Sequence, residues 1–118
     1  MTSQSPRVSS LYDLLQVRMG VEVSETINPL TSTLGTTAQL IAANNPRRLA
    51  LLVVNLSGVA VYIRPLAPAS STNGIRLGPS GGAVSMAWDA DFGVVGKEWY
   101  GVAEGVGSSI FVLEVIIR

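Results

Sequence analysis

The chain contains no cysteine and no histidine, and only one lysine, Lys97. Without cysteine there is no disulfide, no thiolate nucleophile and no cysteine-bound zinc. Without histidine the commonest general base and the commonest transition-metal ligand are missing. Charge of either sign is scarce: Asp, Glu, Lys and Arg make up 14% of the residues, and eight basic side chains balance eight acidic ones. With zero net charge there is no long-range field to draw in a polyanion, which argues against nucleic acid as a partner. No apolar run approaches the ~20 residues a membrane-spanning helix needs. The opening MTSQSPRVSS lacks the basic and apolar regions of a secretory signal, so synthesis in the cytosol, with no membrane partner, is expected. What is abundant is apolar side chain, 47% of 118 residues, enough for one domain with a substantial core. So little charge leaves a surface poorly protected from self-association, which suits a protein that works inside an assembly.

Two regions differ in character. Residues 1–32 are rich in Ser and Thr and read as an arm, with Pro29 near its end. Within it, SSLYDLLQVRMG places Leu11, Leu14, Leu15 and Arg18 at helical spacing after a capping-box-like Ser10 and Asp13, and Gly20 is a stop. The spacing predicts one helix over about 10–19, too short to be stable alone in water, so it must dock on its own domain or on a neighbour. The flanking stretches, SETINPLTSTLG among them, read as extended connections.

Residues 33–118 read as β throughout. Asn44-Asn45-Pro46, Leu56-Ser57-Gly58, Asn73-Gly74 and the stretch GPSGG mark turns between short apolar runs. LALLVVNL is apolar on both faces, the pattern of a strand covered on both sides. In VAVYIRP, Val59, Val61 and Ile63 share one face and Tyr62 takes the other; Val84, Met86 and Trp88 alternate with small residues. In the last run Phe111, Leu113, Val115 and Ile117 share one face, while Glu114 and Arg118 mark the wetter one. Seven or eight short strands joined by Gly, Pro and Asn turns predict an all-β antiparallel sandwich or small jelly roll, preceded by the arm with its helix.

The chemistry-bearing residues are few. Asp89 and Asp91 in WDADFG are the nearest approach to a carboxylate pair, but Ca²⁺ needs six to eight oxygens, and two turn-favouring aspartates on a solvated loop is the plainer reading. GPSGG lacks the Lys-Ser/Thr and following helix of a phosphate loop. Ser57, Ser80 and Ser85 have no base to activate them. No catalytic residue, cofactor site or metal site is expected, and an enzyme is disfavoured. Trp88, Trp99 and Tyr100 offer rings for a carbohydrate platform, against the commoner fate of strand aromatics as core. Arg47 and Arg48 read first as a charged corner blunting a hairpin end, and second as a contact for an acidic partner surface.

The order TTAQLIAANNPRRLALLVVNLSGVAVYIRP, NGIRLGPSGG and a late VLEV resembles small β-rich virion proteins of tailed bacteriophages. The elements that carry the resemblance are Asn45, Pro46, Arg47, Arg48, Asn55, Gly58, Tyr62, Gly74, Leu77, Pro79, Gly81 and Tyr100. They span Thr36 to Arg118 and leave the arm uncovered; GPSGG departs from the family's adjacent Pro-Gly. The resemblance implies a non-enzymatic virion protein, assembled in the host cytoplasm, that decorates or cements the capsid by binding the major capsid protein and its own copies, as in a trimer. The arm residues Leu11, Tyr12, Leu14, Leu15 and Arg18, with the corner residues Arg47 and Arg48, are the expected contacts. The alternative is a tail, collar or fibre-associated module that binds carbohydrate.

Overall fold

The computed structural model describes residues 22–118. They form nine strands: β1 (Val23–Ile27), β2 (Thr33–Leu34), β3 (Gln39–Ala42), β4 (Arg48–Asn55), β5 (Val61–Pro65), β6 (Ile75–Leu77), β7 (Ala83–Ala87), β8 (Trp99–Ala103) and β9 (Ser108–Ile117). A single helical turn, α1 (Trp88–Asp91), and a 3-10 segment (Phe92–Gly96) link β7 to β8. The strands make two antiparallel sheets, β1-β9-β4-β7 with β2 also on β9, and β3-β8-β5-β6. The pairs nest: β2 with β9, β3 with β8, β4 with β7 and β5 with β6. Lateral pairing of β4 with β9 and of β5 with β8 then completes each sheet. The expectation of an all-β sandwich of short antiparallel strands is met.

The core lies between the sheets and is built by strict alternation. Leu51 and Val53 of β4, Val61 and Ile63 of β5, Met86 of β7, and Ile110 and Val112 of β9 all face it. Gly101 lets the layers close here, because a Cβ at that position would come within 2.9 Å of Leu34 Cδ1 and 3.1 Å of Ile41 Cγ2. Tyr62 takes the opposite face, as expected, and its hydroxyl donates to Glu104 Oε2 at 2.8 Å.

Three sequence readings need correction. Residues 23–34 are not merely extended connections: β1 pairs with Leu113–Ile117 and β2 with Ser108–Ser109, so both lie along one edge of β9. Between them Asn28 adopts φ 47°, which Asn tolerates. Its amide donates to the Val112 carbonyl at 2.6 Å and its side-chain Oδ1 accepts from the Val112 amide at 2.8 Å, so the side chain stands in for the ladder where Pro29 breaks it. Second, β7 stops at Ala87, and Trp88 opens α1 instead of continuing the alternation; the Asp91 carboxylate accepts from the Ala87 amide at 2.9 Å and secures the turn. Third, Phe111, Leu113, Val115 and Ile117 do share a face, but it is the outer one. Glu114 points inward and is buried.

The far end of β4 is closed by Asn55, which is fully buried. Its Nδ2 donates to the carbonyls of Val59, Leu77 and Gly78 at 2.7–3.0 Å, and its Oδ1 accepts from the Ser57 amide and hydroxyl. One side chain thereby joins the β4–β5 corner to the GPSGG corner between β6 and β7. That corner needs Gly82, because a Cβ there would collide with the Gly78 backbone. Asn55→Ala would strand several buried acceptors at once, and a loss of about 2–4 kcal/mol is expected from the desolvation of unpaired polar groups. Urea unfolding checks this; a change within error would mean that the two corners hold without the side chain.

Candidate functional site

The corner before β4 is set by local chemistry. Pro46 stops β3 from running on, and Asn45 closes the turn: its Oδ1 accepts from the Arg47 amide at 2.9 Å and its carbonyl from the Arg48 amide at 3.0 Å. The register on β9 then shifts between Arg48 and Ala50. This bulge changes the parity of the strand, so Arg48 turns into the sandwich while Leu49 and Ala50 both face outward.

The two corner arginines therefore part company. Arg47 is exposed, and its Nη2 donates to the Arg118 carbonyl at 3.0 Å. Arg48 is 4% exposed. Its Nε donates to Glu114 Oε1 at 2.9 Å, Nη1 to the carbonyls of Val95 and Lys97 at 3.1 Å, and Nη2 to the Ala43 carbonyl at 2.7 Å. The reading of Arg48 as a surface charge is corrected: a guanidinium that holds one carboxylate and three carbonyls is a structural fastener. The expected contacts Leu11, Tyr12, Leu14, Leu15 and Arg18 lie outside the described residues.

Against this fastener lies an open cleft of about 620 Å³, lined by Asn44, Pro46, Arg48, Trp88, Phe92 and Lys97 along with glycines of the 3-10 segment. Trp88 is 39% and Phe92 77% exposed. The three aromatics singled out in the sequence do not form one platform. Trp88 reaches the cleft, Trp99 is 2% exposed with its Nε1 donating to the Val94 carbonyl at 3.1 Å, and Tyr100 alternates to the outer face of the other sheet. Phe92 carried no sequence signal, since its exposure follows from the positive φ of 55° just after α1. Asp89 is exposed, and Asp91 is committed to the turn. Among the described residues no three His, Cys, Asp or Glu side chains gather to hold a metal ion.

The broadest feature is the outer face of the β1-β9-β4-β7 sheet. Register places Ile27, Leu113, Leu52 and Ser85 in one row across it. The next row on one side holds Glu25, Val115, Ala50 and Ala87, and on the other Phe111, Val54 and Ala83. Glu25 is the only charge. Ile27 is 61% exposed, and Leu52, Val54, Phe111 and Leu113 belong to none of the clusters of packed apolar side chains. LALLVVNL reads in sequence as a strand covered twice; its inner face is buried, while on the outer face Leu49 packs with Val23, Val115 and Ile117 and Leu52 and Val54 are half-buried.

No protein-family model matches the chain, and no curated protein matches it in sequence.

Two measurements follow from this geometry. Arg48→Ala leaves Glu114 and three carbonyls buried without their donor, and should lower stability by about 3–5 kcal/mol, whereas Arg48→Met with Glu114→Leu should regain most of it. Equal instability of the double variant would show that the carbonyl contacts, and not the pair, dominate. In acrylamide quenching of the two tryptophans, the accessible component should vanish in Trp88→Phe; its persistence would place Trp99 at the surface.

Proposed function

We propose that this chain is a non-enzymatic structural protein of a bacteriophage virion, a capsid decoration or cement subunit that binds neighbouring shell subunits, the major capsid protein among them, and its own copies. We also read its sandwich as a jelly roll. The nested pairing of β2 to β9, β3 to β8, β4 to β7 and β5 to β6, as in a folded ribbon rolled into two sheets, supports that fold reading.

The observation that carries the functional reading is the apolar outer face of the β1-β9-β4-β7 sheet. An apolar, half-exposed sheet face of this kind suits contact with another protein. The resemblance to phage virion proteins supplies the kind of assembly, and the zero net charge removes repulsion between copies. In this mechanism residues 1–21 reach across a neighbour and bury Leu11, Tyr12, Leu14 and Leu15, each contributing ~1.5–3 kcal/mol before ordering costs when fully buried. Repetition over many copies turns a modest contact into a stabilised shell.

The exposed Trp88 and Phe92 favour a second reading, a tail- or fibre-associated module whose cleft stacks a sugar ring. It predicts that oligosaccharides perturb Trp88 fluorescence.

The deciding experiment mixes purified protein with undecorated capsids and measures co-sedimentation. Saturable binding is expected for the intact chain, a loss of tenfold or more for Leu113→Asp, and a comparable loss on deleting residues 1–20, which leaves β1 in place. Undiminished binding by both variants would overturn the subunit-contact mechanism, and no binding by the intact chain would overturn the decoration role.

A further inference from the structure

The cleft beside the Arg48 fastener has a floor fixed by backbone contacts. The Asn45 amide donates to the Gly96 carbonyl at 2.7 Å, and a Cβ at position 96 would meet the Asn45 carbonyl oxygen at 2.8 Å. Glycine there lets the 3-10 segment press against the corner before β4. From within, Arg48 holds the Val95 and Lys97 carbonyls. The concavity is therefore as fixed as the fastener itself.

Two apolar rings stand over this floor, one of them in a strained geometry. Phe92 has φ 55° and ψ −141°, a combination that only glycine adopts freely. A turn with no other task would carry glycine at this position, yet the glycine stands next to it at 93. The Phe92 ring is left 77% exposed, and α1 buries none of its residues, Trp88 included. Strain of this kind gathers where a ligand is met.

The uncompensated charge at the cleft has one sign. Arg48 is answered by Glu114, but the exposed Lys97 has no ion-pair partner among the described residues. No carboxylate lines the cleft, and the exposed Asn44 brings amide donors and an acceptor. None of the lining residues lies on an edge strand, so an extended peptide finds no ladder to join. A ligand matched to these groups has an apolar ring face, hydroxyls and one carboxylate.

We propose that the cleft binds a carboxylated pyranose, a uronate or sialate residue of an acidic glycan. Trp88 and Phe92 take the ring, Asn44 the hydroxyls and Lys97 the carboxylate. This rests on the second reading above, that the cleft stacks a sugar, and it names the class of sugar.

Tetragalacturonate and its methyl ester are titrated into the full chain, with tryptophan fluorescence as the readout. The ester keeps the rings and their hydroxyls and removes only the charge. The acid should bind about threefold to fivefold more tightly than the ester, and Lys97→Gln or about 1 M salt should erase the difference. Sialyllactose against lactose repeats the comparison, and the pair with the larger ratio identifies uronate or sialate as the source. Phe92→Gly should bind roughly tenfold more weakly yet unfold at the same or a higher urea concentration, because glycine relieves the backbone. Equal affinity for acid and neutral forms, or a preference that survives Lys97→Gln, would overturn the proposal and leave a neutral sugar site. No binding of any of these sugars would overturn both readings of the cleft. Unchanged binding by Phe92→Gly would place the site elsewhere, and a lower urea midpoint would show the ring held by packing; either result sinks the proposal.

Discussion

The inward turn of Arg48 is the constraint on which the rest of the sandwich depends. A β-bulge changes the parity of β4 at its first residues, and the guanidinium this sends inside would be ruinous if unpaired. It is not unpaired. Glu114 neutralises it, and carbonyls from the β3–β4 corner and from the 3-10 segment after α1 take three of its remaining N–H groups. One side chain thus ties together β9, the turn before β4 and the segment before β8. Those pieces come from distant parts of the sequence, Arg48 and Glu114 lying 66 positions apart. Asn55 does the same at the opposite end of the strand with neutral groups. The central strand is therefore apolar in the middle and polar at both ends, and its polar ends hold the loops that close the sandwich.

The same bulge fixes what faces outward. With Arg48 inside, Leu49 and Ala50 both point away from the core, and the alternation from Leu51 onward presents Leu52 and Val54 on the outer face. Register on β9 then sets Leu113 and Phe111 beside them. A one-residue slip would exchange the two faces and drive Glu114 into the solvent; the Arg48–Glu114 pair thus guards the register as well as the end of the core. This is the better-attested use of a buried ion pair, which adds little net stability compared with apolar packing.

Much of this was legible in the sequence. Asn44-Asn45-Pro46, Leu56-Ser57-Gly58 and GPSGG mark real corners, because proline and glycine act through local backbone geometry that no tertiary contact needs to supply. Alternation also sorted β9 correctly into two sets of residues. It does not say which set is inside, since period two carries no sign when both faces are largely apolar, and Glu114 reads as a solvent residue because its partner lies so far away in the chain. β1 was missed for a related reason. An edge strand beside a proline has weak local propensity, and its pairing is decided by the free edge of β9. Alternation alone makes Trp88 a strand residue, whereas the backbone turns helical as soon as Asp91 can accept from Ala87. The cleft is half visible in the sequence: Trp88 stands out as an aromatic, but Phe92 owes its exposure to a backbone angle.

The inner and outer accounts differ in one respect that bears on function. Inside, every buried side-chain nitrogen and oxygen among the described residues has a hydrogen-bond partner, and the apolar side chains form one continuous cluster. Nothing within the sandwich asks for a further component. Outside, the β1-β9-β4-β7 sheet carries leucine, valine and phenylalanine where a free-standing sandwich would place threonine, lysine and glutamate. Hydrophobic area contributes to stability only when it leaves water, at roughly 25 cal/mol per Å². The half-buried side chains of this face keep apolar area that association would still remove from water, and the chain's scarcity of charge would offer little to oppose that gain.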